Sequence, residues 1–419
     1  MRQLWSGKFW LAIVAKMCQL FTVYLPVLLI DLAFSGIITN TSFYTSYLGL
    51  SSTFLGMLKA VMTAFFVVLA IPFGRLSDRI ERRYVLYAAC LVLSAVSIAL
   101  PLCRNSLHLM LIFPGIGISM ALFWPAYEAW LAEREGEGQL IQRVMLFNLF
   151  WSVGVTLGPA LSSYLYGDTN PFRSFYLAAV FSLLTLATIV ANTLRTSDVP
   201  ETDAASQIAS EPPETLYPPQ PVRTTYLNLA RCANFTSWFL LGVLRRLAPK
   251  LTKEMGMPPT TFGNLMLTLG GMQTLAFLVL GSGYSTRWHY RFAPILIVQV
   301  LAVVSFLGIW KIQHTTLWVF AFGVIGVSAA FTYFSSLYYG LDRHADKGNK
   351  SGWHEGILGL GILLGPLLGG ILADSRFGTQ SPYLLCAVAI LIAIIVEVFI
   401  ISKNNRSSGD SPQYSPHQA

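Results

Sequence analysis

The chain has 419 residues, of which 54% are hydrophobic and 11% are charged, and its formal net charge at pH 7 is +8. This composition is too apolar for a soluble protein and predicts an integral membrane protein with many spans. The basic residues lie in short loops and form no continuous stripe, so the positive charge does not indicate a nucleic-acid partner. The 5 cysteines show neither disulfide nor metal-ligand spacing, and we expect no metal and no cofactor.

Twelve apolar segments are long enough to cross a bilayer, which takes about 20 residues of helix. The fold class expected is therefore all-α integral membrane, with lipid around its outer surface. The first segment lacks a small-residue cleavage site and is expected to be an uncleaved helix rather than a signal peptide. The predicted spans are 17–43, 51–72, 84–102, 107–129, 142–166, 173–194, 226–248, 261–283, 292–311, 315–340, 353–374 and 381–402.

The distribution of Lys and Arg predicts how the chain is oriented. Most of the 28 basic residues fall on the side that also carries both termini. By the positive-inside rule, both termini are then cytoplasmic. The short loops and compact length favour a bacterial inner membrane.

A polar interruption divides the chain into two six-helix halves, 1–194 and 226–402. Residues 195–225 are rich in proline and acidic side chains, a composition typical of an extended linker that cannot bury enough apolar surface to fold alone. The tail, 403–419, is rich in Ser, Pro and Asn and is expected to be disordered.

The two halves are related by an internal repeat. Glycines recur between them at a constant separation of 207 positions, from the first helix to the fifth. Parallel repeats of six helices are a known transporter architecture. The matching positions are Gly49 and Gly256, Gly56 and Gly263, Gly74 and Gly281, and Gly158-Pro159 and Gly365-Pro366.

A dense polar stretch, 74–83, separates the second and third apolar segments, and it carries a motif. Its Gly74, Asp78, Arg79, Arg82 and Arg83, together with Gly-rich runs in helices 5 and 11, resemble the major facilitator superfamily over essentially the whole chain. The resemblance implies twelve helices in two pseudo-symmetric halves, similar to the drug or metabolite:proton antiporter-like branch. Glu81 departs from the motif, where the family usually has a second glycine. The residues of the Gly-rich runs are Gly154, Gly158, Pro159, Gly361, Gly365 and Pro366.

The resemblance implies that this polar stretch is a conformational latch. Asp78 would meet the N-terminus of helix 11 near Gly352 and Trp353, where unpaired backbone N–H groups favour an anion. Arg82 and Glu128, at the end of helix 4, would complete a charge cluster that holds the halves together. A solvated basic loop that only sets topology is the alternative.

The Gly-Pro runs also have a simpler interpretation, because small residues allow membrane helices to pack closely. A role in transport would be added to that packing. The Gly359-x-Gly361 spacing is not a dinucleotide loop, since no strand precedes it.

Asp31 is the strongest candidate for transport chemistry, because an ionisable residue inside a membrane helix is costly unless it has a function or a partner. It lies near the middle of helix 1 and resembles the coupling acids of proton-linked drug antiporters. A structural pairing with Lys59 is the alternative. Lys59 itself either lines the cavity or extends its amine to the membrane surface.

Further residues were assigned by residue type and depth in the membrane. Glu355 either lines the cavity or complements the dipole of helix 11, and the second interpretation is favoured. Arg245 and Arg246 are expected to be interfacial anchors more often than anion ligands. Leu111 stands where the family often has an arginine, which weakens a proton-antiport mechanism. The residues assigned to a coupling or substrate cavity are Asp31, Lys59, Asn148, Trp151, Gln273 and Glu355.

These observations predict a secondary transporter that works by alternating access, as a monomer with a small-molecule substrate and protons as partners. No GxxxxGK[ST] loop, HExxH or GxSxG motif occurs, so neither ATP hydrolysis nor an enzyme is indicated. Proton-linked efflux of a drug-like or metabolite substrate is the leading function. The alternatives are a facilitator or symporter that takes up a sugar or other metabolite, and a transport-dead sensor with the same fold.

Overall fold

The fold is known from a computed structural model, which describes residues 7–50, 52–133, 140–166, 172–197, 218–247, 259–282, 288–312, 314–342, 344–373 and 375–407. These residues form helices joined by short connections, and the predicted all-α fold class is confirmed. The helices are α1 Gly7–Tyr47, α2 Ser52–Arg79, α3 Arg82–Ala99, α4 in two pieces Ser106–Ile112 and Pro114–Glu133, α5 Leu140–Tyr166, α6 Arg173–Ser197, α7 Gln220–Gly242, α8 Pro259–Leu280, α9 Phe292–Lys311, α10 Thr315–Leu341, α11 Lys347–Ala373 and α12 Ser381–Ser407.

Ten of these helices are long and apolar enough to cross a membrane, counting only residues that the structure describes. α8 contributes a shorter apolar stretch, Asn264–Leu280. α7 is more polar because it packs on α10, α11 and α12, and its Asn234, Thr236 and Ser237 are buried among them. A span that faces protein on most sides can be less apolar than one that faces lipid.

Most helices extend beyond the apolar segments that predicted them. α2 continues to Arg79 and α11 begins at Lys347, six residues before its predicted start at 353. A helix satisfies its own backbone hydrogen bonds and so continues into the polar boundary, whereas hydropathy detects only the part in hydrocarbon. Helices also reach into the predicted linker at Ser197 and Gln220, and into the predicted tail at Ser407. Residues 198–217 and 408–419 lie outside the described part of the chain.

The two halves meet mainly where α2 packs on α11, with further contacts between α4 and α11 and between α5 and α8. Glycine makes the close approach of α2 and α11 possible. A Cβ on Gly352 would lie 2.6 Å from the carbonyl oxygen of Ala70, and one on Gly359 would lie 2.7 Å from Val67 Cγ2. Gly74 and Gly348 meet backbone to backbone nearer the end of the two helices. We call this end, which also carries Gly7 and Ser407, the termini side.

Helix packing repeats between the halves with the same separation of 207 positions. In the first half, a Cβ on Gly154 of α5 would lie 3.1 Å from the carbonyl oxygen of Leu28 in α1. In the second half, a Cβ on Gly361 of α11 would lie 2.7 Å from the carbonyl oxygen of Phe235 in α7. Gly158 against α1 and Gly365 against α7 repeat the arrangement one turn later. The Gly-rich runs therefore hold α5 on α1 and α11 on α7, as the packing interpretation expects.

Candidate functional site: a central cavity and a latch

A cavity of about 390 Å³ lies between the halves. Its volume is within the range of about 300–1,000 Å³ that is usual for small-molecule sites. Most of the wall is apolar or aromatic, and the charged members are Asp31, Arg245 and Glu355. The lining residues on α1, α2, α4, α5, α7, α10 and α11 are Asp31, Phe34, Ser35, Ile38, Thr39, Met62, Thr63, Phe66, Met120, Trp124, Trp151, Val155, Pro159, Trp238, Leu241, Gly242, Arg245, Tyr333, Glu355, Leu358 and Ile362.

Three aromatic rings from both halves form one wall of the cavity. Trp151 of α5 stacks on Tyr333 of α10, with ring centroids 5.6 Å apart and planes 9° from parallel. Trp238 of α7 meets Tyr333 edge-on at 5.8 Å. Flat rings of this kind bind aromatic or extended apolar groups and attract cations to their faces.

Asp31 lies in the cavity wall, and its side chain is only 5% exposed. Glycine at position 154 makes room for it, since a Cβ there would lie 2.9 Å from the Asp31 Cβ. The Oδ2 atom of Asp31 has no hydrogen-bond partner among the residues that the structure describes. A buried carboxylate oxygen without a partner is costly, so the site suits either a proton or a polar group of a substrate.

Arg245, rather than Lys59, is the cation that shares the cavity with Asp31. The turn Val243–Leu247 widens to a π-helix after α7, and Arg245 lies in it. One guanidinium nitrogen donates to Gln273 Oε1 at 3.2 Å, and the group lies 5.7 Å above the Trp238 ring. The interpretation of Arg245 as an interfacial anchor is therefore wrong. The side chain of Arg246 lies outside the described residues.

Glu355 lines the cavity and also belongs to a cluster of buried polar side chains next to it, which we call the buried cluster. One of its carboxylate oxygens lies within 4.8 Å of one of Glu128 on α4. Ser351 donates a hydrogen bond to Glu128 Oε2, and His354 Nδ1 is 2.9 Å from Ser336 Oγ on α10. One carboxylate oxygen from each of Glu128 and Glu355 and one imidazole nitrogen of His354 lie within 4.8 Å of one another. Because α11 starts at Lys347, Glu355 lies beyond its first turn, so the favoured dipole interpretation is wrong.

Three of the residues predicted for the cavity do not line it. Asn148 is fully buried, but its Nδ2 bonds the carbonyl oxygen of Val144 on its own helix. Gln273 lies outside the lining and accepts a hydrogen bond from Arg245. Lys59 is partly buried on α2 outside the lining. Polar residues inside a membrane helix often bond to the preceding turn, which residue type alone does not reveal.

Leu111, where the family often has an arginine, also lies away from the cavity. Its side chain is 71% exposed on the outer face of the helix bundle. An arginine there would point to lipid rather than to a substrate. A leucine at position 111 is therefore no evidence against proton antiport.

The latch forms where α2 ends against the N-terminus of α11. Asp78 Oδ1 accepts a hydrogen bond from the backbone N–H of Gly348 at 2.8 Å, and Oδ2 accepts one from Asn349 N–H at 2.7 Å. These are free N–H groups of the first helical turn, which attract an anion. The chemistry is the one expected, but the partners lie four residues before Gly352 and Trp353, because the helix starts earlier.

Arg82 connects Asp78 to a second acid, and that acid is Glu133 rather than Glu128. Arg82 forms two hydrogen bonds to the Glu133 carboxylate, at 2.6 and 2.8 Å, and one to Asp78 at 2.9 Å. It also donates to the hydroxyl of Ser77 at 2.9 Å. Two acids therefore share one buried guanidinium in the first half, and Glu128 belongs to the buried cluster instead.

The remaining latch residues have different positions. Gly74 allows the backbone of Gly348 to approach α2. Arg83 pairs with Glu81 at 2.5 Å at the surface, and Arg79 is exposed. A further contact across the halves comes from Arg75, whose Nε is 2.9 Å from Asn349 Oδ1.

Two loops outside the spanning segments contain histidines with shifted pKa values. Burial lowers the pKa of His289, between α8 and α9, to about 4. Burial, with the nearby charge of Lys350, lowers the pKa of His344, between α10 and α11, to about 4. For Asp346, burial opposes ionisation, but the Asn349 hydrogen bond and the charge of Lys350 outweigh it and lower the pKa. Both imidazoles are neutral near pH 7.

Several residues of the cavity and the latch are not predicted by the sequence analysis. For some of the cavity residues, the internal repeat could have predicted the position. Lining positions occur in pairs separated by 207 residues: Asp31 with Trp238, Ile38 with Arg245, and Trp151 with Leu358. Extending the repeat from glycines to every position of α1 and α7 would have placed Arg245 in the cavity. No comparable sequence signal points to Glu133 or Ser351, which depend on where α4 ends and α11 begins.

Comparison with known proteins gives a family and a fold. The family model described as Major Facilitator Superfamily matches residues 23–350 and 227–416. Uncharacterized MFS-type transporter Rv0849 of Mycobacterium tuberculosis is 24% identical over 340 residues, which cover 77% of this chain and 78% of that protein. Uncharacterized MFS-type transporter YhjO of Bacillus subtilis is 29% identical over 125 residues, covering 29% of this chain and 31% of that protein.

A solved structure has the same fold. The crystal structure of the human organic anion transporter MFSD10 superposes with a TM-score of 0.69, covering 90% of this chain and 98% of that chain. The sequence identity between the two is 17%, so the likeness concerns the fold alone.

Proposed function

Because this chain belongs to the Major Facilitator Superfamily, it is a membrane transporter rather than an enzyme, and we propose that it exports a small amphipathic molecule in exchange for protons. The observation that carries the proposal is the unpartnered Oδ2 of Asp31 in the wall of the central cavity. A carboxyl group there can bind a proton and the substrate in turn, which is the requirement for exchange.

The composition of the cavity wall supports an amphipathic substrate with a flat apolar body. The ring cluster of Trp151, Trp238 and Tyr333 provides stacking surfaces, and Asp31 and Arg245 provide one charge of each sign. A sugar would need many hydrogen-bonding side chains around its hydroxyl groups. The wall's hydroxyl groups of Ser35, Thr39 and Thr63 already donate to backbone carbonyl oxygens of their own helices. Sugar uptake is therefore less well supported than transport of an aromatic or drug-like compound.

The contacts between the halves support alternating access. α2 and α11 touch from the latch at Asp78 to Gly359, so the termini side is sealed. Breaking this contact would open the cavity to that side, with the halves moving as bodies about the midplane. We propose that this is the cytoplasmic side of a bacterial inner membrane, that both termini lie there, and that one copy of the chain suffices because both halves that line the cavity belong to it.

The test is transport by the purified protein in liposomes across a panel of aromatic amphipathic compounds, with and without an imposed pH gradient. We expect the pH gradient to drive at least one compound against its own concentration gradient, and Asp31→Asn to abolish that accumulation. Glu397→Gln is the matched control, because Glu397 is a buried membrane acid that accepts from Gln299 at 2.7 Å and lies outside the cavity. Equal transport by wild type and Asp31→Asn without a gradient would show a facilitator, and no transport of any compound would favour a sensor.

A further inference from the structure

The buried acids beneath the cavity come from different halves of the protein. Glu128 lies on α4 and Glu355 on α11, and they are 1% and 4% exposed. One carboxylate oxygen of each lies within 4.8 Å of the other. Glu128 Oε1 has no hydrogen-bond partner among the residues that the structure describes, while Oε2 accepts from Ser351.

Two ionised carboxylates cannot remain in contact in a buried site, because they repel each other and each has lost its hydration. A single proton removes the repulsion, since it makes one group a donor and the other an acceptor. The one negative charge that remains is stabilised by the shared hydrogen bond and by the hydroxyl of Ser351. Aspartic proteases use the same arrangement, in which two carboxyl groups share one proton. The unpartnered Oε1 of Glu128 is then explained as one end of the shared hydrogen bond.

Among the described residues, no lysine or arginine forms an ion pair with either acid. His354 Nε2 lies 3.8 Å from Glu355 Oε1, and it would compete for the position of the proton only as an imidazolium. The amine of Lys347 is directed at the carbonyl oxygen of Ala132, at 3.4 Å. The guanidinium of Arg143 on α5 is directed at the carbonyl oxygens of Leu131 and Ala132, at 2.7 and 3.1 Å. The other faces of α5 and α10 next to Glu128 are apolar. The remaining ionisable groups whose charges act on this cluster are Asp31 on α1, Arg231 on α7, Tyr333 on α10 and His354 on α11.

We propose that Glu128 and Glu355 form a proton-binding site, distinct from Asp31, in which one shared proton holds the two halves together on the termini side. The site deepens the proposed function and rests on it. Glu355 lines the cavity, so a proton from the cavity water can bond to a carboxylate oxygen of the pair. When the halves separate, the shared hydrogen bond breaks, both carboxylates are hydrated, and the proton leaves to water on the termini side.

The internal repeat does not place a second such pair at the equivalent position. The position equivalent to Glu355 in the first half, 207 residues earlier, is Asn148. An amide there cannot share a proton and instead bonds Val144 on its own helix. Closure of the opposite side would therefore not depend on a proton in the same way.

The test measures closure directly, in the protein without substrate. Spin labels carried by a bio-orthogonal amino acid replace Ile80, in the exposed turn between α2 and α3, and Ser402, exposed near the end of α12. The distance between them is recorded in lipid nanodiscs over a series of pH values. We expect short distances at low pH and a growing population of long distances as the pair loses its proton at higher pH.

The variants are Glu128→Gln and Glu355→Gln, because an amide keeps a neutral hydrogen bond and mimics the protonated acid. Both should keep short distances throughout and lose the pH-dependent component, while Glu397→Gln, the buried control within the second half, follows the wild type. A second measurement guards against misfolding: infrared difference spectra should show a pH-dependent carbonyl stretch that both variants lose and that Asp31→Asn retains.

The two proposals fail in different ways. A wild-type distance that ignores pH, or variants that keep the wild-type response, would overturn the shared-proton site even if transport depends on the gradient. A pH-dependent distance that the Gln variants abolish would support the site. If transport nevertheless proved independent of the gradient, the proposed exchange would fail and the site alone would stand.

Discussion

Removal of the Asp78 carboxylate should open the termini side of the transporter. Asp78 makes two hydrogen bonds across the halves, to Gly348 N–H at 2.8 Å and Asn349 N–H at 2.7 Å. A hydrogen bond to a charged group contributes about 1.5–3 kcal/mol. Water replaces part of this when the halves separate, so for Asp78→Ala we expect about 2 kcal/mol, or roughly a 30-fold shift toward the open state.

Asp78→Asn should have a smaller effect in the same direction, since its amide oxygen can still accept one of the two hydrogen bonds, but without charge. The assay is the distance between labels at positions 80 and 402 at one fixed pH. Glu81→Gln is the matched control, because Glu81 pairs with Arg83 at the surface of the first half and does not cross to α11. If Asp78→Ala left the distribution of distances unchanged, the latch interpretation would be refuted even if transport were lost.

Three further changes test other parts of the structure. Gly352→Ala should push α2 and α11 apart, because its Cβ would lie 2.6 Å from the carbonyl oxygen of Ala70, and the labels at positions 80 and 402 should report longer distances. Gly370→Ala is the control: the added Cβ meets nothing within 4 Å, so the distances should not change. Trp151→Ala removes the ring that stacks on Tyr333 and should weaken substrate binding by about 1.5 kcal/mol, roughly tenfold, measured by equilibrium binding, whereas Trp151→Phe should retain most of the affinity. The pKa of His289 is lowered to about 4, so as the pH falls the unfolded state binds a proton at this residue before the folded state does. The free energy of unfolding should therefore fall by up to about 1.4 kcal/mol per pH unit as the pH drops from roughly 6.5 toward 4. Thermal unfolding of His289→Gln should lack this pH-dependent loss of stability, and a pH profile identical to that of the wild type would contradict the buried, neutral state of His289.

The sequence predicted the fold well because two strong signals agree. Long apolar segments mark the spans, and the glycine repeat relates the halves. The helix ends were predicted poorly, since hydropathy does not report where a helix stops in the polar boundary. Because α11 starts at Lys347, the backbone partners of Asp78 lie four residues earlier than predicted. For the same reason, Glu355 lies inside the helix rather than near its end.

The candidate site was predicted in part. Asp31, Trp151 and Glu355 line the cavity, while Asn148, which is one turn from Trp151, bonds to its own helix. Arg82 reaches Glu133 rather than Glu128, because the choice between two acids on one helix depends on three-dimensional packing. Arg245 lies in a π-turn, a local change of helix geometry that residue type and hydropathy do not reveal.

Proton exchange can be tested most directly by recording the pH inside liposomes when a transported compound is added without any initial gradient. Exchange predicts that entry of the compound drives protons out, so the interior becomes more alkaline, and that Asp31→Asn abolishes the signal while Glu397→Gln retains it. Movement of the compound with no change in internal pH would contradict proton-linked exchange.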